Sequence, residues 1–252
     1  MRHRYDAATV TVPPSRGVSH AGARHDCRHG HRHLGRDDLE RVSCRATTAI
    51  VITDELGRYA ALGQGAIGNV RGTTSVWLAC LSARAHSLLG DGEATRTAIQ
   101  QAEEARATAE PDDLDAFGGI MTFPLPRQLY YVAEATVQLG EDAALGESRS
   151  ETAVSAYRNA TEDEWAFGDQ AGAQTDLALA RIACGEIEGA AEAVRPVLDL
   201  PVEQRNFGIV SSAQRVHAAL HGAGRRSSGG AAAGLRQEIE AFTTTPTSAL
   251  VR

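Results

Sequence analysis

A chain of 252 residues can bury a sizeable core, and its formal net charge of −7 excludes a globally basic nucleic-acid binder. Aromatics make up only 5% of residues while Ala and Gly abound, which suits closely packed helices better than a β-sandwich. No apolar stretch approaches the ~20 residues of a membrane span, and no signal-peptide core stands at the N-terminus, so no membrane partner is expected and the expected compartment is cytoplasmic.

Every basic residue is Arg and none is Lys, which reads as GC-rich coding bias and bears on origin rather than mechanism. Cys27, Cys44, Cys80 and Cys184 lie far apart with no CxxC. Cys80 and Cys184 fall in apolar helical runs, where buried reduced thiols are expected.

Residues 1–45 hold six of the nine His, nine Arg and five acids, a net of +4, whereas the remainder carries 16 Arg and 27 acids, a net of −11. With Pro13-Pro14, scattered Gly and no apolar periodicity, this Arg/His-rich tail is expected to be disordered. Its Cys27-Arg28-His29-Gly30-His31-Arg32-His33 run matches no structural zinc spacing and reads as a compositional accident, so no metal site or cofactor is assigned.

Helical patterning begins weakly over 46–71, where Thr53 can cap a segment that Gly63, Gly65 and Gly68 weaken. It strengthens at 72, and the repeat domain is drawn over 72–242. The spacing predicts helices over Ser75–Leu89, then Glu93–Ala109, which Pro111 stops. A second pair is predicted over Pro126–Leu139 and Asp142–Tyr157, and a third over Asp169–Cys184 and Glu188–Leu198. Pro196 is expected to kink or end the last of these. Val202–Leu220 and Leu235–Phe242 close the array, with Arg225–Gly234 read as a flexible linker and 243–252 as a flexible C-terminus.

One turn recurs between paired helices: Leu89-Gly90-Asp91, Leu139-Gly140-Glu141 and Cys184-Gly185-Glu186, at separations of 50 and 45 residues. Gly closes a helix in the left-handed conformation without a Cβ penalty, and an acid after it suits the next helix's N-terminus. Three such turns imply a repeat array. The pattern resembles the tetratricopeptide (TPR) family, and the implied fold is an all-α, TPR-like α-solenoid of antiparallel helix hairpins. The family repeat is ~34 residues, so these repeats are longer, and the aromatic expected late in each return helix is mostly missing. HEAT-type pairing is the alternative architecture.

A closer resemblance rests on Glu110-Pro111-Asp112-Asp113, Met121-Thr122-Phe123-Pro124, Arg127-Gln128-Leu129-Tyr130-Tyr131, Asp176-Leu177-Ala178-Leu179-Ala180-Arg181 and Pro196-Val197-Leu198-Asp199-Leu200-Pro201. These stretches look like the C-terminal, TPR-like region of actinobacterial Xre-type helix-turn-helix transcriptional regulators. The first 45 residues do not match, and no helix-turn-helix pair is visible there. A stand-alone effector domain, or a start in another frame, is the expectation.

No GxSxG, P-loop or HExxH occurs, and Gly63-Gln64-Gly65-Ala66-Ile67-Gly68 lacks the strand that a dinucleotide fingerprint needs. The expectation is a binding scaffold, not an enzyme. In TPR arrays the first helix of each hairpin lines a concave face. Position relative to the glycine that ends each first helix places Trp77, Arg84, Arg127, Tyr130, Glu134, Gln138 and Thr175 there, with Arg127 exposed on the floor. The expected partner is a peptide or protein segment, or a small effector. No direct nucleic-acid contact is expected from the folded part, and a homodimer is compatible with the reading. A structural oligomerisation or adaptor scaffold without a small ligand is the alternative. Aromatic packing would equally explain Trp77 and Tyr130, and surface ion pairing Arg84 and Arg127.

Overall fold

The structure, a computed structural model, describes residues 53, 55–67, 72–223 and 230–244, all within one compact unit, Ser43–Arg252. The expected tail, its Cys/His run and most of the C-terminus lie outside the described residues.

Among the described residues the chain is all-helical, with no strand. Helix α1 covers 55–67. It is followed by α2 (Thr74–Leu88), α3 (Gly92–Thr108), α4 (Leu125–Leu139), α5 (Ala143–Arg158), α6 (Phe167–Cys184), α7 (Ile187–Leu198), α8 (Phe207–Ala223) and α9 (Gly230–Thr244).

The predicted glycine turns are where the helices end. Gly90, Gly140 and Gly185 have φ of 73°, 69° and 88°. After α2 and α6 the paired reverse bonds of a Schellman closure form: Asp91 N–H to His86 O and Glu186 N–H to Arg181 O span the turn, at 3.0 and 2.8 Å. After α4 a single bond from Gly140 N–H to Thr136 O does the same work. The acids divide their roles. Asp91 caps α3 through Ala94 N–H, and Asp142 caps α5 through Leu145 N–H. Glu141 instead pairs with Arg96 at 2.5 Å, and Glu186 makes no side-chain cap.

Each helix packs on its successor in the pairs α2–α3, α4–α5, α6–α7 and α8–α9, while α2, α4, α6 and α8 also pack side by side in that order. Small residues permit this. A Cβ on Gly172 of α6 would fall 2.3 Å from the Tyr130 hydroxyl of α4, so only glycine lets these two helices approach. One core, with Cys80, Ala98, Ile99 and Phe123, sits between α2, α3 and α4; a second runs from Ala133 through Tyr157, Leu177, Val194 and Val216 to Phe242. Tyr157, at the end of α5, is a buried late aromatic of the kind mostly missing from the sequence.

The 115–123 connection anchors the start of α2. The Thr73 hydroxyl and N–H both donate to the Asp115 carboxylate, and the same hydroxyl accepts from Phe123 N–H at 2.8 Å. Arg106 of α3 then donates to Gln128 Oε1 and to the Phe123 carbonyl.

Four expectations need correction. A short 3₁₀ turn at Val202–Gln204 precedes α8, which starts only at Phe207, where Asn206 caps it by accepting from Ile209 N–H at 3.0 Å. Residues 230–234, read as linker, are the first turn and a half of α9, because Ala232 buries and the alanines favour helix over the flanking glycines. Thr243 and Thr244, assigned to the flexible C-terminus, complete the same helix. Cys184 is exposed rather than buried, being the last residue of α6, while Cys80 is buried as expected; both are free thiols. Pro196 stays inside α7, which ends two residues later at Leu198.

Candidate functional site

The seven predicted residues fall on the row α2–α4–α6–α8, and the structure sorts them into three groups. At the N-terminal end of the row, Trp77 stacks on Phe123 with centroids 6.4 Å apart, and Phe123 meets the edge of Tyr131 at 5.3 Å. Trp77 is therefore packing. Arg127 was expected to be exposed; its side chain retains 20% exposure and is engaged by Asp169 of α6 at 2.7 Å, with a second bond to the Thr122 carbonyl. Tyr157 also donates to Asp169, at 3.3 Å. An arginine committed in this way joins α4 to α6 and is not free to take a partner. Thr175 is buried, and its hydroxyl donates to the Gly172 carbonyl of its own helix.

The middle of the row holds a buried polar cluster to which all four helices contribute. Arg84 of α2 faces Glu134 of α4 at 2.6 Å, an ion pair without regular hydrogen-bond angles, and its guanidinium lies 4.3 Å over the Tyr131 ring. Burial lowers the Arg84 guanidinium, but Glu134 and then Tyr130 and Tyr131 outweigh it and hold the group above its usual range. Tyr130, half-buried over Gly172 and edge-on to Tyr131, is raised by burial and by Glu134. Gln138, one turn on from Glu134, donates to it at 3.2 Å and accepts from Ser87 at 3.0 Å.

Two members of the cluster were not anticipated. Asp176 of α6 is 1% exposed, and Arg215 of α8 approaches both Asp176 Oδ1 and Glu134 Oε1, at 3.5 and 3.6 Å. Asp176 Oδ2 is buried with no hydrogen-bond partner. Burial, and then the Glu134 charge, push the Asp176 carboxyl well above the usual carboxylate range, against the pull of Arg215 and Arg84. An acid inside the apolar run Thr175–Ala180 was the available signal, because a charge rarely sits in a buried stripe without a role. Arg215 lies inside the helix predicted over Val202–Leu220, and nothing within that helix marks which acids it meets.

Beyond this cluster, toward the C-terminal ends of α2, α4 and α6, the row opens into a groove of about 460 Å³. Leu88, Val137, Leu179, Ala183 and Ala218 supply its apolar walls, and Gln138 and Arg215 their polar side. Of the predicted residues only Gln138 reaches it. A second cavity of about 340 Å³, between α5, α6 and α7, is lined by Val154, Leu177, Arg181 and Pro196. Arg181 there is held by Glu147 and Glu151 at 3.1 and 2.9 Å.

Among the described residues no cluster of His, Cys, Asp and Glu could hold a metal ion, and no helix is long and apolar enough to cross a membrane. His217 and His221 meet edge-on at 4.7 Å, and His217 also contacts Glu240 at 2.9 Å. The chain matches no protein-family model, no curated protein and no solved structure, so the site stands on its own geometry.

Proposed function

We propose that this protein is a non-catalytic binding scaffold whose groove along α2, α4, α6 and α8 takes a small effector or a short peptide segment. In this reading α2–α9 form four antiparallel hairpins of a TPR-like solenoid, with the first helix of each lining the ligand face. The three glycine turns and the side-by-side packing of α2, α4, α6 and α8 support that architecture. By its resemblance to Xre-type regulators, the scaffold would be the sensing part of a transcriptional regulator.

The observation that carries the binding role is the groove itself. Its volume falls within the ~300–1,000 Å³ range of small-molecule pockets, and it pairs apolar walls with the half-exposed guanidinium of Arg215. Ala183 is exposed on the groove wall, so Ala183→Trp fills the groove without touching the core. Native mass spectrometry of wild type and variant after incubation with a fractionated bacterial extract tests the reading. A bound mass on wild type, missing from an equally stable variant, is expected; identical spectra from both would overturn it.

One observation favours a second reading, an oligomerising or adaptor scaffold. Leu125, Phe167 and Phe207, the first residues of α4, α6 and α8, are all exposed, as are Phe117 and Trp165 in the preceding loops. An apolar edge of this kind is common at protein contacts.

A further inference from the structure

We propose that the groove binds a small organic carboxylate, whose charged end seats on Arg215 and whose apolar body lies along Leu88, Val137, Leu179, Ala183 and Ala218. This inference rests on the reading of the groove as the ligand site and names the chemistry of the ligand.

Charge counting inside the polar cluster leads to it. Arg84 and Glu134 lie at 2.6 Å and are matched to each other. Asp176 is buried beside Glu134, and one of its oxygens has no partner at all. Its other oxygen accepts from Arg215 only at 3.5 Å, and desolvation together with the neighbouring negative charge disfavours the charged carboxylate, in line with the upward displacement of its titration. Asp176 is thus a weak counter-charge, and Arg215 is the guanidinium of the cluster without a close ion pair. The geometry agrees, because the closest acidic oxygens to Arg215 are 3.5 and 3.6 Å away, whereas Arg84 and Arg127 hold theirs at 2.6 and 2.7 Å. The Arg215 side chain is also 38% exposed and lines the groove, so its planar fork is open to a ligand oxyanion.

The remaining polar groups of the groove argue for a compact ligand over an extended peptide. A peptide backbone needs donors and acceptors along its length. Ser87 already bonds the Arg84 carbonyl and Gln138, Thr136 bonds the Val132 carbonyl and receives Arg149, and Gln138 bonds Glu134. Asp142, the acid at the groove mouth, is occupied in capping α5. Arg215 is then the main directional contact, and the walls around it are apolar.

Calorimetric titration of the full chain with 4-phenylbutanoate and octanoate, their primary amides, and an N-acetylated tetrapeptide with a free carboxylate tests this. The acids should bind at least about ten-fold tighter than their amides, as loss of one charge-assisted contact requires. Arg215→Gln should abolish that preference at unchanged helicity, and Asp176→Asn should keep it. Equal binding of acids and amides, both lost in Ala183→Trp, would overturn the carboxylate and leave the groove as a ligand site. Preference for the tetrapeptide over both small acids would overturn the compact ligand. Absence of binding by every probe also overturns this proposal, and the extract experiment, which assumes no carboxylate, then judges the groove separately.

Discussion

Arg127 and Arg215 show how context decides what an arginine does. Both sit on the helix row, but Arg127 meets an acid of the adjacent helix at 2.7 Å while Arg215 meets two acids only at 3.5 and 3.6 Å. The first is a tie between α4 and α6, and the second makes only a long bond to Asp176 and keeps most of its hydrogen-bonding capacity. Between them Asp176 sets the local charge. Its carboxyl is raised by burial and by Glu134. A carboxyl raised in the folded state contributes stability that is full below the unfolded value, about 3.9. That contribution is lost as pH rises through the folded value. Asp176→Asn imitates the neutral form at every pH and keeps an oxygen for Arg215. Its melting temperature should therefore gain on wild type as pH rises from about 4 upward. Thermal melts across that range check this; a wild type that gains on the variant with rising pH would show that Asp176 is a stabilising anion.

At the scale of elements, the glycine turns were the most legible feature of the sequence. Positive φ at Gly90, Gly140 and Gly185 is a backbone requirement that only one residue type meets easily, so the chain announces it directly. Helix lengths followed from them to within one or two residues. Elsewhere the reading slipped. Asn206, an N-cap followed by an aromatic, was read through as helix interior, and Gly230–Gly234 was read as linker although its alanines carry the helix. Gly185→Val isolates the turn chemistry. A Cβ at Gly185 meets no atom within 4 Å, so the cost is the left-handed backbone alone, roughly 1–2 kcal/mol. Urea unfolding should show a loss of that size; an unchanged midpoint would mean that the turn relaxes to negative φ.

At the scale of the molecule, the all-helical class was legible, and the partners across the row α2–α4–α6–α8 were not. Residues 127, 130, 131 and 134 share one side of α4 by helical pitch alone, whereas the meeting of Glu134 with Arg84 and Arg215 depends on which helices pack side by side. Residue patterning within a helix carries no direct record of such long-range pairings, and for that reason Asp176 and Arg215 were missed. The charged cluster holds the middle of the row, the apolar edge of Leu125, Phe167 and Phe207 lies at one end, and the groove lies at the other.

The groove, and not the cavity between α5, α6 and α7, is the proposed ligand site. Methyl NMR spectra of the labelled protein, with and without the extract fraction that wild type retains, test it most directly. Shifts are expected at Leu88, Val137 and Leu179, which line the groove, and none at Val154 or Leu177, which line the cavity between α5, α6 and α7. Shifts at Val154 and Leu177 with the groove methyls unmoved would contradict it.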